Sequence, residues 1–296
     1  MASYKSPMSA ILNDAYAAAL QWHLDNGADE VLQDEQNDRT AAITQFLKSP
    51  SPEFDVGAPS TRNAPEIFMD APVASTSDMM GTMAAKMEAA RLAQSCHSLE
   101  ELQAAISGFD GLAIRKTAMN LVFGDGNPQA HVMVIGEAPG ADEDRQGRPF
   151  VGADGQLLDR ILHCIGLSRR NEEADQSVYV TNLLNWRPPG NRTPTQAEID
   201  ISMPFIERHI ALIKPKMLIL SGGVCAKGLL NSDSTISKLR GTIHDYQPIT
   251  ESINANASVI PAVVTYHPGY LLRTPSQKGL VWSDMLMLRA RLDAGF

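Results

Sequence analysis

Four short apolar runs rich in β-branched residues, at 131–135 (HVMVI), 178–181 (VYVT), 216–220 (KMLIL) and 259–265 (VIPAVVT), recur along residues 107–296 with helix-like stretches between them. The runs are continuous rather than alternating polar and apolar, which is the pattern of strands covered on both faces. Between and after them, Leu157, Leu158, Ile161 and Leu162 mark one helix, and 199–213, 224–230 and 281–292 mark three more. Strand alternating with helix predicts an α/β fold: a three-layer α/β/α sandwich with a short, mainly parallel central sheet.

Each predicted strand runs directly into residues that packing alone does not require. Gly136-Glu137-Ala138-Pro139-Gly140 follows the first and Asn182 the second; Ser221-Gly222-Gly223 follows the third and Tyr266-His267-Pro268-Gly269 the fourth. In a parallel sheet these loops converge on the carboxyl edge, where open α/β sheets bind ligands. Any single loop of this composition is also ordinary turn chemistry.

The loops extend into longer blocks. GEAPG at 136–140 continues into ADEDRQGRPFVGADGQLLDRIL; VYVTNLLNWRPPGNRTPTQAEI spans 178–199, LRGT 239–242 and YHPGYLLR 266–273. Together, in this order, they resemble the conserved blocks of the family 4 uracil-DNA glycosylases over about 120–296. The resemblance implies removal of uracil from DNA by hydrolysis of the N-glycosidic bond after base flipping, with LRGT as a phosphate-contacting loop and HPGYLLR as the DNA-inserting loop.

The chemistry of these residues agrees with that implication. A glycosylase holds the flipped base between an aromatic face and hydrogen-bonding groups. Phe150, in a glycine-flanked loop, is placed to supply the face. The planar amide of Asn182 accepts from uracil N3–H and donates to O4, a pattern that cytosine reverses. Bond cleavage drives negative charge onto uracil O2, and His267 can donate to it. For the water, the family's polar positions fall on Glu137, Glu143 and Asn191, and the residues leave these unranked. Gly136 and Ala138 are counted with the base pocket, although Ala138 stands where related glycosylases carry Asp or Asn. Asp142 and Asp144 are expected to form a solvated acidic loop. Arg187, Arg192, Lys238, Arg240, Arg273 and Lys278 are placed to meet phosphates, and Tyr270, Leu271 and Leu272 to fill the vacated base position as an apolar wedge or to open the packing face of the last helix.

One family property is missing. Family 4 enzymes typically hold an iron–sulfur cluster on four cysteines, whose places here carry Phe109, Leu112, Trp186 and Ser202. The chain's three cysteines, Cys96, Cys164 and Cys225, are far apart and form no CxxC pair. They read as buried free thiols, and no cofactor or metal is expected; a small hydrophobic core is expected to stand in the cluster's place.

The net charge of −9 would argue against a nucleic-acid partner were it evenly spread. It is not: residues 1–106 hold 6 Lys+Arg against 15 Asp+Glu, and the remaining 19 of each sign cancel. The expected organisation is an N-terminal helical segment over 1–48, with an amphipathic helix at 8–25; a disordered Pro/Ser/Ala linker over 49–78; a helical lead-in over 79–106, with Ser98 capping its final helix; and the glycosylase-like domain over 107–296. Removal of 1–105 is expected to leave activity intact. The acidic third suggests docking to a repair or replication protein, and Gln45-Phe46-Leu47 is a weak match to a clamp-binding peptide. No apolar run approaches a membrane span and no secretory leader opens the chain, so a cytoplasmic location is expected.

Other readings compete with uracil removal. The same fold could recognise damaged DNA with little cleavage, which Ala138 and the missing cysteines favour, or act on another deaminated base. A nucleotide-binding α/β protein would use GEAPG and SGG for phosphate, but leaves Phe150, Asn182 and His267 without a role.

Overall fold

A computed structural model describes residues 76–254 and 258–295. A six-stranded sheet organises them, with β1 Asp125–Gly126, β2 Val132–Gly136, β3 Val178–Asn182, β4 Met217–Ser221, β5 Ile243–Tyr246 and β6 Ile260–Thr265 in the order β1-β3-β2-β4-β6-β5. The four inner strands are parallel and the two edge strands antiparallel. The inner four match the four apolar runs to within a residue. The edges were not read from the sequence, because β1 has two residues and β5 is largely exposed.

The inner strands serve two cores because successive side chains point to opposite faces. Met133, Ile135, Leu218, Leu220, Ala262 and Val264 join one cluster, and Val132, Val134, Ile219 and Val263 join the other. The first cluster is roofed by α1 Thr76–Ser95, α2 Leu99–Gly108, α5 Gln196–Ile213 and α6 Gly223–Leu229; α4 Ala153–Cys164, α9 Pro268–Arg273 and α10 Lys278–Asp293 cover the second. The result is the three-layer α/β/α sandwich. Short helices α3 Ala141–Gln146, α7 Ile236–Leu239 and α8 Glu251–Asn254 complete the set.

Local capping follows the sequence. Ser98 accepts from the Glu101 amide to start α2, while Thr195 and Glu198 form a reciprocal capping box on α5. The compact unit nevertheless begins at about residue 75 rather than 107. Helix α1 buries Ala89 and Ala93 and packs along α5, and Arg208 of α5 donates to the Cys96 carbonyl. The lead-in is therefore part of the same core. The expected N-terminal helix, most of the expected linker and the Gln45-Phe46-Leu47 match lie outside the described residues. Among those described, no helix is long and apolar enough to cross a membrane.

Candidate active site

Gly136 and Asn182 end neighbouring parallel strands as register partners. The two positions are crowded: a Cβ on Gly136 would overlap Oδ1 of Asn182 and sit 2.6 Å from Cζ of Phe150. Glycine is thus required for the Phe150 ring and the Asn182 amide to share one floor. Asn182 is only 3% exposed.

Phe150 adopts φ 53°, a left-handed conformation costly for a bulky residue. Its ring stacks on that of His267, with centroids 5.7 Å apart and planes inclined by 27°. The loop is held from both sides. Glu143 is buried, accepting from the Gly140 amide at 3.1 Å and from those of Val151 and Gly152 at 2.9 Å each. Arg169 donates to the carbonyls of Pro149 and Phe150 at 3.0 and 2.9 Å. Gly155 allows the turn, since a Cβ there would overlap the Phe150 carbonyl.

His267 caps α9: its Nδ1 accepts from the Gly269 amide at 3.1 Å. An imidazole accepting at Nδ1 carries its proton on Nε2, so the neutral ring presents Nε2–H as a donor. Burial pushes the His267 pKa below the ordinary imidazole value; Asp154 and Glu143 oppose that shift, and Arg273 reinforces it. Glu137 is half-buried, and desolvation raises its carboxyl pKa. Ala138 is half-buried and packs on the first core cluster.

The three polar candidates for the water now differ. Glu143 is committed to backbone amides. Asn191 is exposed, with φ 56°, and its Oδ1 accepts from Nε of Arg187 at 2.7 Å. Of these three, Glu137 is the one whose side chain takes no hydrogen bond or ion pair among the described residues.

Several sequence expectations are corrected. Asp144 is buried, not solvated: it accepts from the amides of Met119 and Asn120 and faces Arg187 at 3.8 Å. Leu271 is 0% exposed and packs into the core, because α9 puts Pro268 and Leu271 on one inward face three residues apart. Leu272 points outward at 47% exposure, beside half-buried Tyr270, which pairs with Tyr266 at 5.0 Å between centroids. Arg240 is not a free phosphate ligand. Its side chain is 13% exposed and binds buried Asp284 at 2.7 Å, the Leu280 carbonyl at 2.6 Å and the face of Tyr266. Asp284 also accepts from Thr265 at 2.9 Å, so the LRGT loop is tied to α10. Arg192, its side chain 42% exposed, pairs with Glu198, whose side chain is 13% exposed. Lys238 and Arg273 are exposed and Lys278 is half-buried.

The residues at the family's cluster positions do not fit a cluster. Phe109, Leu112 and Trp186 are buried in one hydrophobic core, with Phe109 edge-on to Phe205 at 5.2 Å, and none has a lone pair for iron. The Ser202 hydroxyl is buried without a partner. Among the described residues, no group of three or more His, Cys, Asp and Glu side chains is placed to hold a metal.

The family and relatives that the chain resembles match a span that contains these residues. The family described as the uracil DNA glycosylase superfamily matches residues 123–286. A type-4 uracil-DNA glycosylase of Pyrobaculum aerophilum is 35% identical over 191 residues, covering 64% of this chain and 92% of the relative. Another, from Archaeoglobus fulgidus, is 35% identical over 175 residues, covering 58% and 85%. A type-5 uracil-DNA glycosylase of Thermus thermophilus is 33% identical over 116 residues, covering 36% of this chain and 52% of the relative. With the fold and the strand-end constellation of Gly136, Phe150, Asn182 and His267, this match establishes that the chain belongs to the uracil DNA glycosylase superfamily.

Proposed function

We propose that the chain is a monofunctional uracil-DNA glycosylase that hydrolyses the N-glycosidic bond of a flipped deoxyuridine and leaves an abasic site. The observation that carries this reading is the convergence of a donor, a bidentate amide and an aromatic face on one sheet edge. Phe150 stacks on the base, Asn182 pairs with N3–H and O4, and His267 Nε2–H meets O2 as that oxygen gains charge. A neutral imidazole suits the task because it keeps Nδ1 free to accept from Gly269.

Glu137 positions the water. Its carboxyl pKa is raised by burial, which strengthens a carboxylate as a proton acceptor at neutral pH. Glu143 and Asn191 serve geometry: the first shapes the Phe150 loop and the second orients Arg187. Leu272 and Tyr270 enter the duplex or strand at the vacated position, and Arg187, Arg192, Lys238 and Arg273 meet phosphates. The enzyme works without an iron–sulfur cluster, its place taken by the packing of Phe109, Leu112 and Trp186. Protein purified anaerobically is expected to lack stoichiometric iron and a visible absorption band; finding both would contradict that.

Uracil release from an oligonucleotide carrying one dU, scored as an alkali-labile break, tests the activity. Binding to the same oligonucleotide with no break would instead support a damage-binding module of the same fold.

A further inference from the structure

We propose that Arg169 is a positioning residue for the base-stacking ring, a role that rests on the uracil pocket above. Arg169 lies in LSRRNEE, outside every block that resembles the family. In the fold its side chain is 7% exposed and its charge is balanced by two carboxylates, with Nε at 2.8 Å from Asp159 and Nη1 at 3.2 Å from Asp125. The same guanidinium donates to the Pro149 and Phe150 carbonyls at 3.0 and 2.9 Å. Four acceptors are satisfied by one planar fork, which a lysine cannot reproduce.

The Phe150 backbone is thereby gripped through groups on both sides. Arg169 holds the two carbonyls up to and including Phe150, while Glu143 holds the next two amides, Val151 and Gly152, at 2.9 Å. Phe150 sits at φ 53° between them. A bulky residue stays in this region only when its surroundings over-determine it. Without the Arg169 donors, the Phe150 peptide relaxes toward negative φ, and the ring loses its place against Gly136 and His267.

Asp125 joins β1 to this grip, and Arg148 also binds it, at 2.9 Å. The edge strand that sequence patterning missed thus anchors the pocket from behind. Arg169 does not touch substrate; it acts through Phe150.

A double-mutant cycle separates positioning from general stability. Single-turnover uracil release is measured for the wild type, Arg169→Gln, Phe150→Leu and the double variant, with thermal melts of each. Arg169→Gln is expected to slow release by about 10–100-fold in the wild-type background, in line with the cost of a misplaced contact group. It should slow release by less than about 3-fold when Phe150 is already leucine, since coupled residues are not additive. Equal factors in the two backgrounds would overturn the proposal. Should Arg169→Gln fail to fold, Asp159→Asn, which removes one counter-ion and loosens the fork, enters the same cycle.

Amide exchange at Val151 and Gly152 supplies a readout independent of catalysis. It should rise at least about 10-fold in Arg169→Gln while core amides keep theirs, as expected of a local opening; unchanged exchange would also overturn the proposal. A wild-type protein that releases no uracil would instead refute the glycosylase reading, and the exchange comparison would still decide the role of Arg169.

Discussion

Gly136 lies so close beneath Phe150 that a Cβ added to it would sit 2.6 Å from the ring's Cζ. The contact makes the pocket floor a matter of one missing methyl. Gly136→Ala should therefore expel the ring or tilt Asn182, reducing single-turnover uracil release by about 100-fold while folding is retained. Parallel thermal melts and rate measurements check this; a variant with full activity would show that the ring and amide need not share that floor.

His267 should behave as a donor to a developing anion. Its replacement by alanine is expected to cost about 10²–10³ in rate, the usual effect of losing one such donor. The pH dependence has a definite sign. Burial holds the His267 pKa below the ordinary imidazole value, so the neutral, Nδ1-accepting form persists to lower pH than a free imidazole would allow, and the acidic limb of the rate profile should lie below the ordinary imidazole range. Asp154 and Glu143 raise that pKa and Arg273 lowers it. Asp154→Asn should accordingly move the acidic limb of the rate profile to lower pH; a shift to higher pH would contradict the arrangement.

The inner strands were legible because runs such as HVMVI and KMLIL are apolar on both faces, as a covered parallel sheet demands. That Phe150, Asn182 and His267 lie near one another was legible because Asn182 ends a strand, His267 follows one, and Phe150 lies in the block that runs on from Gly136. The partners that hold them were not. Arg169 reaches Phe150 across 19 residues and Arg240 reaches Asp284 across 44, and nothing in local composition marks either pair. Leu271 and Asp144 were misplaced for a related reason: one turn of helix or one loop decides whether a side chain faces inward, and six-residue helices carry too little periodicity to show it.

A buried histidine away from the site should contribute to acid sensitivity. His209 is enclosed, bonded to the Tyr179 hydroxyl at 2.9 Å and stacked on Phe123, and burial lowers its pKa from 6.5 to about 3. Between those values the unfolded chain binds a proton that the folded one refuses. Stability is thus lost as pH falls from 6.5 toward 3, by up to about 1.4 kcal/mol per pH unit. Chemical denaturation across this range should show a shallower slope for His209→Gln; an unchanged slope would point to other groups.

The position of α1 revises where the chain can be cut. Deleting residues 1–74 should leave melting temperature and uracil release unchanged. Deleting 1–105 removes Ala89, Ala93 and Leu102 from the core and the Cys96 acceptor from Arg208. Loss of Leu102 alone forfeits about 2 kcal/mol of burial, so the shorter protein should be insoluble or melt at least about 10 °C lower. Equal melting of the two truncations would contradict the packing of α1 on α5.

Whether Asn182, Phe150 and His267 form a working uracil pocket is tested most directly by one gel assay. Oligonucleotides with a single dU, or with dC at that position, are incubated with the wild type and with Asn182→Asp, then treated with alkali. The wild type should give a break at dU alone, and Asn182→Asp should cut at dU at least about 100-fold more slowly, because an ionised carboxylate cannot donate to O4. A wild-type protein that binds the dU strand and leaves it uncut, or an Asn182→Asp variant as fast as wild type, would contradict that pocket.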